Sequence, residues 1–150
     1  MNYHNITKDD MLNGDGLRVV LWVSGCNHHC SECHNPQTHN PNSGLQFTKE
    51  TLMEIIAELE KEHISGLTLS GGDPLFPQNR ESILDIAKTV KRLYPDKTIW
   101  LYTGYNWEDI YNLPIMKYID VVVEGKFKKE SSIPHPQWRG SSNQKLHVLK

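Results

Sequence analysis

Short β-branched runs alternate with amphipathic helical stretches along this chain, and that alternation narrows the fold more than any other feature. Leu17 to Val23 reads Leu-Arg-Val-Val-Leu-Trp-Val, which suits a buried strand. Thr48 is placed to cap a helix, with Glu50 in its first turn and Leu52, Ile55, Ile56 and Leu59 on one apolar face. Gly66 to Ser70 reads as a second strand that breaks at Gly71-Gly72-Asp73-Pro74. A helix is predicted from near Asn79, with Ile83, Ile86, Ala87, Val90 and Tyr94 inward and Pro95 as its stop. Thr98 to Tyr102 and Ile119 to Glu124 read as further strands, and Trp107 to Leu113 as a short helix. Ser131 to Gln144 is polar and proline-bearing, and Lys145 to Leu149 is placed to add a last strand.

Strands separated by helices at this interval predict βαβ units, a parallel sheet and right-handed crossovers. Four or five strands cannot close an eight-stranded barrel. The expectation is therefore an α/β fold: an incomplete, partial TIM-like βα barrel, an open arc of about four to five mostly parallel strands with helices outside. At 150 residues, the chain is expected to be a single domain over 1–150. In parallel sheets, sites form where the C-terminal ends of strands meet loops. The segments after the first and second predicted strands then fall on one rim.

The first of those segments holds every cysteine of the chain: Cys26, Cys30 and Cys33, spaced C-x3-C-x2-C. An odd, clustered set is no disulfide framework and points to metal or redox work in a reducing compartment. Three thiols plus His28, His29 or His34 would satisfy a Cys3His zinc site, although ligands on one loop staple little together. A redox relay lacks the usual Cys-x-x-Cys context. An iron–sulfur cluster fits thiolate ligands, but a fully ligated one needs four. Such a cluster must borrow a histidine, be shared between chains, or leave one iron open to a substrate or cofactor.

Other functions are disfavoured. A net charge of −2 is not that of a generic nucleic-acid binder. No apolar run approaches the roughly 20 residues of a spanning helix, and the Met1-Asn2-Tyr3-His4-Asn5 start has no signal core. The expectation is a cytoplasmic protein without membrane or nucleic-acid partners.

The cysteine spacing after a first strand, with Gly71-Gly72-Asp73-Pro74 after the second, resembles the radical S-adenosylmethionine (SAM) superfamily. The resemblance extends further. Asn2-Tyr3-His4, Asn13-Gly14-x-Gly16, Gly66 to Leu75, Pro77-Gln78-Asn79, Thr103-Gly104-Tyr105, Gly125-Lys126-Phe127 and Trp138 to Gln144 together are similar to the family of activating proteins of anaerobic ribonucleoside-triphosphate reductase.

That resemblance implies an enzyme, a radical SAM activase with one [4Fe–4S] cluster per chain on Cys26, Cys30 and Cys33. It implies reductive cleavage of SAM to a 5′-deoxyadenosyl radical, which takes hydrogen from a glycine of the large reductase subunit. Glu32, Cys33 and His34 would lie against SAM, and Gly71, Gly72 and Asp73 would meet its methionine end. An electron donor such as a flavodoxin is implied as well. The family pattern has proline where this chain has Asp15, and an aromatic residue, usually tyrosine, where it has His34. A histidine ring can still stack on adenine.

Lys126 is a candidate to neutralise the SAM carboxylate or ribose region, against the plainer reading of a solvated strand-end lysine. Thr103-Gly104-Tyr105 either lines the pocket or is a simple turn. Trp138 and Arg139 either dock the reductase, being of types enriched at interface hot spots, or pack over the sheet edge. His39, His63, His135 and His147 read as surface or packing residues. The alternatives to this function are activation of a different glycyl radical enzyme, or a non-SAM iron–sulfur or zinc binding module.

Overall fold

Four strands lie side by side and parallel at the centre of the sheet: β2 (Arg18–Val23), β4 (Gly66–Gly71), β5 (Thr98–Thr103) and β6 (Val121–Glu124). The computed structural model describes residues 1–26, 28, 39–126, 138, 139, 141 and 143–150. These strands are nearly continuous in apolar residues because both of their faces are covered. Val19, Leu21, Leu67, Leu69, Ile99, Leu101 and Val122 point to one face and form the main core with three helices. The helices are α1 (Lys49–Leu59), α2 (Arg80–Leu93) and α3 (Trp107–Ile110).

Local chemistry sets their ends. Thr48 caps α1 in a reciprocal arrangement: its hydroxyl accepts from Thr51 N–H, and Thr51 Oγ1 accepts from Thr48 N–H. Ile55 and Leu59 of α1 are fully buried. Helix α2 buries Ile83, Ile86, Ala87 and Val90 and stops at Tyr94, the residue before Pro95. Only the first turn of the expected Trp107–Leu113 helix forms, and Pro114–Lys117 adds a 3-10 turn.

The expected partial TIM-like barrel, an open arc of about four to five mostly parallel strands with helices outside, is overturned. The described residues form one mixed sheet of seven strands with three α-helices, in the order β3-β1-β2-β4-β5-β6-β7. Three flanking strands are antiparallel to their neighbours: β1 (Asn2–Asp10) and β3 (Leu45–Gln46) on one side, β7 (Lys145–Val148) on the other. Strand β1 escapes a pattern-based reading because Asn-Tyr-His-Asn-Ile-Thr-Lys-Asp-Asp has no alternating apolar face. It is held by backbone pairing to β2, with two breaks in register, and by Tyr3 and Ile6 packed against the core.

The reverse face carries Trp100, Val121 and Val123, with Tyr102, Trp138 and Leu146 against them. It also buries Arg18 completely. The guanidinium donates to Thr68 Oγ1 at 2.8 Å, Asp15 O at 2.9 Å, Thr98 Oγ1 at 2.9 Å, Leu67 O at 3.0 Å and Thr98 O at 2.9 Å. It lies over the Trp100 ring, 5.5 Å from the centroid. All five N–H groups are thus satisfied by neutral acceptors, and burial lowers the Arg18 pKa to about 10. It remains charged at neutral pH and ties three strands to the Asn13–Gly16 turn, which Thr68 also holds by donating to Asn13 O.

Candidate functional site

Because β2, β4, β5 and β6 are parallel, the segments that follow them meet on one rim. After β2 the chain runs Ser24-Gly25-Cys26. Ser24 N–H donates to Asn2 O and Cys26 N–H to His39 O, at 2.9 and 3.1 Å. Cys26 is buried. Cys30, Cys33, Glu32 and His34 lie outside the described residues.

The turn after β4 is laced to this segment. Gly72 N–H donates to Val23 O and Asp73 N–H to Gly25 O, both at 2.8 Å. Gly71 has φ +111°, and a Cβ there would fall 2.3 Å from Val23 N. Only glycine permits that approach between neighbouring strands. Asn79 donates from its side-chain amide to Ser24 O at 2.8 Å and to Asp73 O at 3.3 Å, and so closes the junction from below.

Asp73 sits at the centre with no solvent exposure. Its Oδ1 accepts from Leu75 N–H at 2.9 Å and from the Thr103 hydroxyl at 2.9 Å. Its Oδ2 accepts from Gly104 N–H at 2.9 Å and from His28 Nε2 at 2.5 Å, with the Thr103 hydroxyl 3.0 Å away. A carboxylate has about four acceptor positions, and this one fills them within the protein. His28 lies between Cys26 and Cys30 in the chain, so one carboxylate joins three turns: those after β2, β4 and β5. The His28 ring packs edge-on to Tyr105, with centroids 4.5 Å apart. The Arg80 guanidinium lies 5.3 Å from the Tyr105 ring centroid.

Beside this junction His28, Gly104, Tyr105, Asn106, Asp109 and Lys126 line a cavity of about 310 Å³. A second cavity of about 520 Å³ shares Asn106 and Lys126 with it and reaches Asn143 and Lys145. Lys126 therefore faces the rim, and Gly104 and Tyr105 line it. Thr103 has the separate task of holding Asp73. Among the described residues no three His, Cys, Asp or Glu side chains converge on one point to hold a metal. Cys26 brings one thiol of the three to the rim.

Residues 12–147 match the model of the 4Fe-4S single cluster domain family. The chain is 50% identical over 147 residues to the anaerobic ribonucleoside-triphosphate reductase-activating protein of Enterobacteria phage T4, covering 97% of this chain and 93% of that one. It is 44% identical to the protein of that name from Vibrio cholerae, covering 98% and 97%, and 42% identical to that of Escherichia coli K12, covering both chains fully. The chain belongs to the anaerobic ribonucleoside-triphosphate reductase-activating protein family.

The described residues of the Trp138 to Gln144 stretch make contacts within the fold. Trp138 packs edge-on against Trp100, with centroids 5.1 Å apart. Arg139 Nη1 donates to Gln144 O at 3.1 Å. Asn143 donates from its side chain to Lys126 O at 2.8 Å, and Gln144 to Gly125 O at 2.9 Å. Ser141 donates from its backbone to Gln144 Oε1 at 3.0 Å and from its hydroxyl to Asn143 Oδ1 at 2.6 Å. This knot holds the turn after β6, the one that carries Lys126 to the cavity. Of the other histidines, His63 is exposed and 3.0 Å from Asp9, and His147 stacks on Trp107 with centroids 4.6 Å apart. His135 lies outside the described residues. No helix among the described residues is long and apolar enough to cross a membrane.

Sequence reading named Asn79 and Arg18 only as parts of a motif and a strand, and missed the bonds that each makes and the joining of His28 to Asp73. The last carries one signal, a histidine placed between two cysteines, but its partner is 45 residues away.

Proposed function

We propose that this chain activates anaerobic ribonucleoside-triphosphate reductase as a radical SAM enzyme. The observation that carries the reading is the junction on the rim. The turn holding Gly71, Gly72 and Asp73 is bonded directly to the segment that ends in Cys26. Cys26, Cys30 and Cys33 would hold a [4Fe–4S] cluster. Their soft thiolate donors fit that group, and the absence of a fourth thiol leaves one iron for an exogenous ligand. The chemistry such a cluster supplies when bound is one-electron reductive cleavage of SAM to methionine and a 5′-deoxyadenosyl radical, which takes hydrogen from a glycine of the reductase.

The chain's own residues bind and orient. Carbonyl groups of the Gly71-Gly72 pair would accept from the α-ammonium group of SAM, while the Asp73 carbonyl is held inward by Phe76 N–H and the Asn79 side-chain amide. Glu32, Cys33 and His34 would flank the ligand, and the His34 ring would stack on adenine. Lys126, at the edge of both cavities, meets the carboxylate or ribose. The reductase covers the open rim and excludes water during the radical transfer. A flavodoxin or similar protein supplies the electron, and the protein works in the cytoplasm.

The test is anaerobic. The protein is reconstituted with iron and sulfide, reduced, and its electron paramagnetic resonance spectrum recorded with and without SAM. A [4Fe–4S]⁺ signal that changes with SAM, and 5′-deoxyadenosine in the same tube, are expected. A cluster indifferent to SAM would reduce the protein to an electron carrier, and stoichiometric zinc without iron would refute the reading. A glycyl radical appearing on another enzyme, and none on the reductase, would reassign the partner.

A further inference from the structure

We propose that His28 and Asp73 form a positioning pair for the cluster seat. The proposal rests on the assignment of the cluster to Cys26, Cys30 and Cys33.

Three observations carry it. First, the Asp73 side chain is fully buried and its acceptor positions are taken by Leu75 N–H, Thr103 Oγ1, Gly104 N–H and His28 Nε2. An incoming ammonium group would have to displace one of these donors. Second, the pair bridges separate pieces of backbone. His28 sits two residues after Cys26 and two before Cys30, while Asp73 follows β4 and its other partners follow β5. A carboxylate only accepts, so Nε2 carries the hydrogen and the ring is fixed in orientation. Third, the ring is seated on a position without a side chain. A Cβ on Gly104 would fall 2.6 Å from His28 Cδ2 and 2.8 Å from Nε2. The edge contact with Tyr105 closes the other side.

A three-thiolate site on one short segment has no second staple of its own. The separation of its ligands depends on where the backbone between them is held. The His28–Asp73 bond holds it midway between Cys26 and Cys30. The same carboxylate orients the Gly71-Gly72-Asp73 turn through Leu75 and the β5 turn through Gly104, so cluster seat and ligand seat share one anchor.

Three substitutions test this. His28→Phe keeps a flat ring against Gly104 and Tyr105 but removes the donor. His28→Gln places an amide nitrogen close to where Nε2 stood. Asp73→Asn removes the carboxylate. Each is reconstituted anaerobically and desalted; iron and sulfide per chain, the reduced-state paramagnetic resonance spectrum and the dissociation constant for SAM are measured. Loss of at least half the iron and a shifted spectrum are expected for His28→Phe, with both restored by His28→Gln. Asp73→Asn is expected to lose iron likewise. A role in mere folding would not give rescue by glutamine together with a spectral shift. Wild-type iron and spectrum in His28→Phe would overturn the pair. A fully loaded Asp73→Asn with the wild-type spectrum would overturn it as well. If wild type holds a cluster but ignores SAM, the radical SAM reading fails while the iron comparison still decides the pair. A wild type that takes up no iron overturns both.

Discussion

Gly71→Ala tests whether the junction between β2 and β4 is as tight as the structure shows. The glycine has φ +111°, and an added Cβ would lie 2.3 Å from Val23 N, 2.5 Å from Val23 O and 2.8 Å from Trp22 C. All three are backbone atoms of the neighbouring strand, so no side chain can rotate away. Holding alanine at that φ costs about 1–3 kcal/mol. Relieving the contact separates the strand ends and strains two hydrogen bonds, Gly72 N–H to Val23 O and Asp73 N–H to Gly25 O. At about 1 kcal/mol net for each, the sum is about 3–5 kcal/mol. For a domain of this size that corresponds to a fall of roughly 6–20 °C in Tm. Urea unfolding of the metal-free, reduced protein measures it, with Ser70→Ala as a control expected within about 0.5 kcal/mol of wild type. The variant should also take up less iron, because Cys26 lies three residues beyond Val23. A Gly71→Ala stability within about 1 kcal/mol of wild type would refute the tight junction, since the φ strain alone reaches that value.

Other consequences can be checked separately. Arg18→Lys offers at most three donors where five bonds now exist, and should cost about 2–4 kcal/mol in urea unfolding; a neutral result would mean that the fork does not matter. Tyr102 has a buried hydroxyl without a hydrogen-bond partner among the described residues, and burial raises its pKa well above the ordinary 10.0. Above pH 10 the unfolded chain sheds this proton while the folded one keeps it, so its contribution to stability is complete below pH 10 and declines as pH rises further. Tyr102→Phe should be neutral or stabilising at pH 7 and should flatten that alkaline decline; an unchanged slope would exclude Tyr102 as its source. Gly104→Ala should displace the His28 ring and lower iron retention as His28→Phe does, whereas full retention would show that the ring has another seat. Gln144→Ala removes the bond to Gly125 O and should weaken SAM binding several-fold through Lys126, which equilibrium dialysis of the reconstituted protein would read.

The chain's local patterns carried the central strands and the two longer helices. Leu17 to Val23, the Thr48 cap and the Ile83-Ile86-Ala87-Val90 stripe each express burial with a period that a short window contains. The meeting of Cys26 with Gly71-Gly72-Asp73 was legible for a related reason. Parallel neighbours place their C-terminal ends together, so two adjacent strands imply one rim. The partial-barrel expectation failed where no such pattern exists. Mostly polar β1 and the two-residue β3 join the sheet through backbone groups that every residue carries, and Tyr3 and Ile6, the two β1 residues packed against the core, are too few to make an apolar alternation.

By itself, then, the sequence determined which thiols, glycines and helix faces exist and in what order they reach the rim. The tertiary structure decided how polar groups far apart in the chain spend their hydrogen bonds. Arg18 reaches Thr98, His28 reaches Asp73, and the side chains of Asn143 and Gln144 hold Lys126 and Gly125. Burial makes those choices obligatory, because a polar group removed from water must find a partner, and the partner it finds is set by the packed fold.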